Sequence, residues 1–341
     1  MAMDEPVADL DEIRALMAHL AGPDIGAAAA ATARQAELTK PEGSLGRLEE
    51  LAIWLSTWQA RHPPKLDHLR TLVFAGNHGV AARGVSAYPA AVTAQMVQNF
   101  IAGGAAINQL CRVFDAGLKV YEMNLEAPTG DIVLEPAMSE AECAKAMAYG
   151  MMAVESGIDA LALGEMGIGN TTAAAALCAG LFGGDAELWT GPGTGVTGAA
   201  LEAKRRAVAE AVDRHRPAAR DSFDLLRRLG GLELAAITGA VLAARLGRVP
   251  VVLDGFSCTA AAAVLYAADP RALGHCVVGH VSAEPGHRRL LDAICQRPLL
   301  DLGMRLGEGS GATLAFALLK AAAACHNGMA TFAEAGVSGL A

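Results

Sequence analysis

DALALGEMGIGNTTAAAALCAGLF, residues 159–182, runs from an apolar stretch through a glycine-rich bend into an alanine-rich stretch. The apolar part, 159–165, is short and stops in Gly-Glu, which predicts a strand. The part from 171 to 182 is long and rich in strong helix formers, which predicts a helix. A strand that turns through glycines directly into a helix is half of a βαβ unit. The rest of the chain repeats this pattern. TLVFAG (71–76), LKVYEM (118–123), VPVVLDG (249–255) and HCVVGH (275–280) read as further strands, and 89–112, 141–157, 197–213, 233–246, 257–268 and 310–326 as further helices. The alternation predicts an α/β fold, Rossmann-like, with a mostly parallel sheet and helices on both faces. Ligands of such sheets sit beyond the carboxyl ends of the strands. Several of these strands end there in glycine or a polar side chain: Gly76-Asn77-His78, Gly164-Glu165 and Asp254-Gly255.

The first 65 residues read differently. Within SLGRLEELAIWLSTWQ (44–59), Leu45, Leu48, Leu51, Leu55 and Trp58 recur at helical spacing, and 10–20 is a similar helix with no strand between the two. The expected division is a small helical domain from residues 1–65 joined in space by 327–341, and a large α/β domain over 66–326. With 341 residues the chain has ample length for a large core. Its net charge of −9 and aromatic content of 4% argue against nucleic acid, which needs a basic face and stacking platforms. The uncharged apolar run GFSCTAAAAVLYAA (255–268) is too short for a membrane span, and the acidic N-terminus lacks the pattern of a signal peptide. The expectation is a soluble protein of the cytoplasm. Seven scattered cysteines without a C-x-x-C pair read as reduced core residues.

Two glycine loops carry the first chemical signal. In GEMGIGNTT (164–172), Gly167, Gly169 and Asn170 lead into Thr171 and Thr172 at a helix start, offering backbone N–H groups, hydroxyls and the positive end of a helix dipole to a phosphate. In TGPGTGVTG (190–198), Gly193, Thr194 and Gly195 form a second such loop, with Lys204 on the helix that follows. Neither is a P-loop, because no Gly-Lys-Ser/Thr follows; the first lacks the third glycine of a dinucleotide fingerprint. Tight turns without a ligand remain the alternative. GHVSAEPGHRR (279–289) offers His280, Ser282, Glu284 and His287, with Cys276 near, but the spacing fits no standard zinc pattern. Ser282 reads as a ligand contact and Glu284 as a solvated or capping residue. His78 reads equally as a site residue or as a hydrogen-bonding group inside its loop.

The second signal is a pair of glutamates, Glu165 in LGEMG and Glu308 in LGEGSGATLAF (306–316). Glycines leave such a carboxylate unshielded from a ligand, while apolar neighbours remove water. Desolvation raises its pKa and makes it a better base near neutrality. A helix-terminal charge that answers the dipole is the plainer reading of either one. Asp254 has no acidic neighbour, so the chain lacks the adjacent pair that holds magnesium for a ribose-pyrophosphate donor.

KPEGSLGRLEELA (40–52), GVSAYP (84–89), GEMGIGNTTAAAAL (164–177), GPGTGV (191–196), DGF (254–256), GHVSAEPGH (279–287) and LDLGMRLGEGSGA (300–312) together resemble the nicotinate-nucleotide–dimethylbenzimidazole phosphoribosyltransferases. The likeness runs from about residue 35 to the C-terminus in the family's order. One departure is Asn77 before His78, where the family commonly has Asp. The resemblance implies transfer of ribose 5-phosphate from nicotinate mononucleotide to 5,6-dimethylbenzimidazole, in lower-ligand synthesis for cobalamin. It implies a homodimer and neither metal nor other cofactor. By resemblance Glu308 is the base and Glu165 lies beside it. The two glycine loops, Lys204 and Ser282 hold phosphate and ribose, Asp254 and Gly307 join the substrate-binding residues, and Ser86, Tyr88 and Gln95 line the benzimidazole side. Two rivals stand against this reading. A nicotinamide-dependent oxidoreductase lacks its fingerprint here, and a non-catalytic nucleotide sensor would keep its binding when Glu308 is neutralised.

Overall fold

The structure is a computed structural model that describes residues 9–338. Five strands form one parallel sheet: β1 (Leu69–Ala75), β2 (Ala116–Glu122), β3 (Ala160–Met166), β4 (Val251–Leu253) and β5 (Cys276–Val278), in the order β2-β1-β3-β4-β5. The order reverses between β1 and β3, and the carboxyl ends of the strands beside such a reversal open a crevice.

Side-chain alternation along each strand feeds a different layer on each face. On one face Leu72, Phe74, Leu161, Leu163, Val251 and Leu253 join a core with the helices Asn170–Phe182, Leu232–Leu246 and Phe256–Ala268. On the other face Leu69, Ala160, Ala162, Val252 and Val277 meet Ala312, Ala315, Phe316 and Leu319 of the helix Ser310–Gly328, and Leu51 and Leu55 of Arg47–Gln59. The alanines of β3 keep that second face thin, so the helix Ser310–Gly328 comes close. Where β3 ends, Gly164 continues the thin face. A Cβ there would sit 2.1 Å from the backbone N of Gly309, so only glycine lets the 307–309 turn lie on the strand.

Several sequence expectations change in the structure. The helix expected over 89–112 is two, Ala91–Ala102 and Ala106–Phe114. Gly103 takes the left-handed conformation that ends the first, and Gly104 packs against the Asn99 side chain. The expected helix over 10–20 is Leu10–Leu16 followed by one 3-10 turn, and Leu10 and Ile13 enter the large core. Helices at Ile25–Glu37, Ser222–Leu229 and Pro285–Ala293 add to those expected. Residues 1–8 and 339–341 of the expected helical domain lie outside the described residues. Within them, Leu38 bridges Thr331, and Arg34 donates to the carbonyls of His326 (2.7 Å) and Met329 (3.1 Å).

Candidate active site

A cavity of about 540 Å³ opens at the carboxyl ends of β3, β4 and the chain beyond β5. Of the residues expected at the site, Glu165, Gly167, Asn170, Thr171, Gly193, Thr194, Ser282, Gly307 and Tyr88 line it. A larger groove of about 850 Å³ lies beyond β2 and collects none of them.

The two glutamates are neighbours. Glu308 donates its backbone N–H to the carbonyl of Glu165 at 3.1 Å. Gly307, Glu308 and Gly309 all have positive φ, 83°, 64° and 77°, so the chain turns tightly here and places a non-glycine residue in the left-handed region. Glu308 is 5% exposed. Its carboxylate makes no hydrogen bond among the described residues, and burial first, then the charge of Asp254, pushes its pKa up to about 7. Glu165 is half-buried at the cavity and accepts from the Asn170 amide. Poor solvation, then the charges of Asp254, Glu233 and Glu308, pushes it up to about 8. Both carboxyls are thus raised toward neutrality, where a carboxylate is a better base.

The two glycine loops meet on Lys204. This residue is fully buried behind them, donating to the Thr171 hydroxyl at 2.8 Å and the Gly191 carbonyl at 2.9 Å. Burial lowers its pKa to about 8 against the opposing pull of Glu284. Glu284, expected as a solvated or capping residue, is not solvated, and it stands at the N-cap of Pro285–Ala293 without a side-chain cap bond. It is 4% exposed and accepts from the Gly193 N–H at 2.8 Å, so it holds the second loop in place. Gly169 has φ 97° just before the helix Asn170–Phe182, and Thr172 is buried in its first turn. Gly195 is exposed and does not line the cavity. Thr194 accepts from the N–H of Ala87 and shares a hydrogen bond with the Ser86 hydroxyl, both at 3.0 Å, which docks the 84–89 loop on the second glycine loop. Ser86 and Gln95 do not reach the cavity wall, and Gln95 is exposed on the helix Ala91–Ala102.

Asp254, grouped with the substrate contacts on sequence grounds, is instead fully buried and committed within the protein. It accepts from the N–H groups of Gly309 (3.0 Å), Gly311 (2.8 Å) and Ala312 (2.9 Å), and faces His280 at 3.3 Å. It thus caps the helix Ser310–Gly328 from another strand. The imagined zinc ligands are likewise occupied: His287 accepts from the Ser282 N–H and pairs with the Thr259 hydroxyl. Among the described residues no group of three or more His, Cys, Asp or Glu side chains is arranged for a metal. His78 is buried and bonded to Glu233 at 2.7 Å beneath the 167–169 bend, so it braces that bend. Asn77 donates its amide to the Leu125 carbonyl at 2.9 Å and does not line the cavity; an ionised Asp there would have no proton to give. Lining residues that sequence reasoning missed include Ile168, Ser257, Arg305 and Leu306, and His280, weighed from the sequence only as a zinc ligand, lines the cavity too.

A phosphoribosyltransferase family model matches residues 20–337. A nicotinate-nucleotide–dimethylbenzimidazole phosphoribosyltransferase from Brucella anthropi is 57% identical over 96% of this chain and 97% of its own length. One of the same name from Sinorhizobium medicae is 58% identical over the same shares. The crystal structure of CobT from Thermus thermophilus superposes with a TM-score of 0.86 at 43% identity, covering 92% of this chain and 99% of that one. The chain belongs to this phosphoribosyltransferase family.

Proposed function

We propose that the protein moves the ribose 5-phosphate of nicotinate mononucleotide to 5,6-dimethylbenzimidazole, releasing nicotinate and α-ribazole 5′-phosphate for the lower ligand of cobalamin. The relatives' names support the substrates, and one observation carries the chemistry: an almost dry, unbonded carboxylate, Glu308, next to a cavity framed by two glycine loops.

The donor's pyridinium leaves as a neutral ring nitrogen and needs no acid. The acceptor's unprotonated ring nitrogen attacks C1′ as the C1′–pyridine bond breaks, and its N–H proton passes to Glu308, the general base. Attack opposite the leaving group inverts β to α. Carboxylates near C1′ stabilise the positive charge that builds on the ribose. Glu165 positions the acceptor as a neutral carboxyl. The 167–172 and 193–195 loops, Thr171 and Ser282 hold phosphate and ribose, with Lys204 behind them, and Tyr88, Ser86 and Gln95 belong to the benzimidazole side. Asp254 acts by fixing the turn that carries Glu308.

Of the expected helical domain, residues 9–65 and 327–338 form a helical unit beside the α/β domain 66–326, a division that the Leu38–Thr331 bridge and the Arg34 contacts support, although Leu10–Leu16 packs into the large core. The enzyme works as a homodimer in the cytoplasm; the exposed Ile101 and Val113, on the two helices that cover β2, support a second copy there. No helix among the described residues is long and apolar enough to cross a membrane.

Mixing the protein with nicotinate mononucleotide and dimethylbenzimidazole, without added metal, tests the reading. Chromatography is expected to show nicotinate released in step with α-ribazole 5′-phosphate. Absence of both products rejects it.

A further inference from the structure

The segment 299–309 runs as a strap over the cavity and touches three of its walls. Leu300 and Met304 pair with the backbone beyond β5, through Val281 N–H to Leu300 (2.9 Å) and Ala283 N–H to Met304 (3.0 Å). Glu308 then joins the end of β3 through its N–H to Glu165. Between these anchors Arg305 reaches to the second glycine loop, donating Nη1 to the Gly193 carbonyl at 3.1 Å.

Arg305 is the one Lys or Arg among the described residues that line the cavity, where the carboxyl groups of Glu165 and Glu284 also stand. Lys204 is fully buried behind the loops with two of its three N–H donors spent on Thr171 and Gly191, and His280 faces Asp254. Arg305 forms no ion pair among the described residues and is exposed, so its remaining N–H groups are free. A donor that carries a phosphate and enters a site rich in carboxylates needs a cation at the surface it meets first. A guanidinium anchored through one N–H presents its others to phosphate oxygens in a fixed fork.

We propose that Arg305 is a specificity-determining contact to the donor's phosphate, and that by engaging it the strap sets the turn on which Glu308 stands, three residues further on. The proposal rests on the transferase reading for the donor's identity. It gives the second glycine loop a partner: Gly193 offers its N–H to Glu284 and its carbonyl to Arg305, so the loop is held between an acid and the cation that reads the phosphate.

Calorimetric titration of nicotinate mononucleotide into the full-length protein and its Arg305→Ala variant tests this without requiring turnover. Kd is expected to rise at least about 10-fold, the weight of one charged hydrogen bond. Arg305→Lys, which keeps the charge but loses the fork, is expected between the two. Nicotinamide mononucleotide, which keeps the phosphate, should show the same penalty, whereas nicotinate riboside, which lacks it, should bind both proteins equally. An unchanged Kd in Arg305→Ala overturns the contact. A penalty that follows the nicotinate carboxylate instead of the phosphate overturns the assignment to phosphate. In steady state KM for the donor should rise while KM for dimethylbenzimidazole holds. Wild-type protein that binds the donor but never releases nicotinate refutes the transferase reading and leaves the binding comparison intact as the test of Arg305.

Discussion

Glu308 combines three costs at one position: a left-handed φ of 64°, burial to 5% exposure, and a carboxylate without a hydrogen-bond partner among the described residues. The left-handed conformation alone costs about 1 kcal/mol for a residue with a side chain. Such a position persists where the surroundings hold it, here the Glu165 carbonyl and the Asp254 cap. The value of the arrangement lies in its basicity. A base must be deprotonated to act, and a pKa of about 7 means that kcat/KM rises with pH through neutrality and levels above it. Glu308→Gln keeps the shape and removes the base. It is expected to lose about 10²-fold or more in kcat and to flatten that rising limb, read from initial rates between about pH 5.5 and 9. Near-full activity in this variant refutes the role of Glu308 while leaving the reaction itself in place.

At the scale of elements, the N-terminus of the helix Ser310–Gly328 is capped from outside by one side chain. Asp254 at the end of β4 answers three amides of its first turn and of the turn before it. Removing a buried carboxylate with that many donors strands all of them in a dry setting. Asp254→Ala is therefore expected to lower unfolding free energy by about 3 kcal/mol or more, seen as a lower urea midpoint, together with activity. A residue that only touches substrate would spare the midpoint. This case also marks the limit of the sequence. The strand-turn-helix units, both glycine loops and the two glutamates are legible because periodicity and glycine spacing are local signals. The role of Asp254 is not, because its partners lie over fifty residues away and proximity follows from the order of strands. Arg305 escapes for a related reason: a lone arginine in a loop carries no pattern until the strap is seen to cross to Gly193. The split of 89–112 is written in Gly103-Gly104, but the apolar rhythm on both sides masks it.

For the molecule as a whole, buried titratable groups pull stability in opposite directions with pH. Glu165 and Glu308, at about 8 and about 7, hold protons that the unfolded chain releases near 4.5, so their contribution declines as pH rises from about 4.5 to 8. His275 and His287, at about 3, and His326, at about 4, stay neutral while the unfolded chain binds protons below 6.5, so their contribution declines as pH falls through that point. All three histidines are lowered first by burial. The two windows overlap and offset each other between about 4.5 and 6.5. From 6.5 upward the carboxyls act together with His280, which, against the opposing effect of burial, the bond and charge of Asp254 hold above its ordinary value, while Lys204, lowered to about 8, begins to contribute above that range. The wild-type urea midpoint is thus expected to fall from about pH 6.5 to 8, by up to about 1.4 kcal/mol per pH unit for each proton held, less for the half-buried Glu165. The double variant Glu165→Gln, Glu308→Gln should fall less steeply across that range, keeping only the share of His280, and be more stable than wild type at about pH 8, yet lose stability below about pH 4.5 as wild type does, since the other histidines remain. An unchanged alkaline slope in the double variant would place the titration elsewhere and remove the case for two perturbed carboxyls at the cavity. The expected gain at about pH 8, set beside the expected loss of activity in Glu308→Gln, would show that the site holds its reactive carboxylate against the stability of the fold.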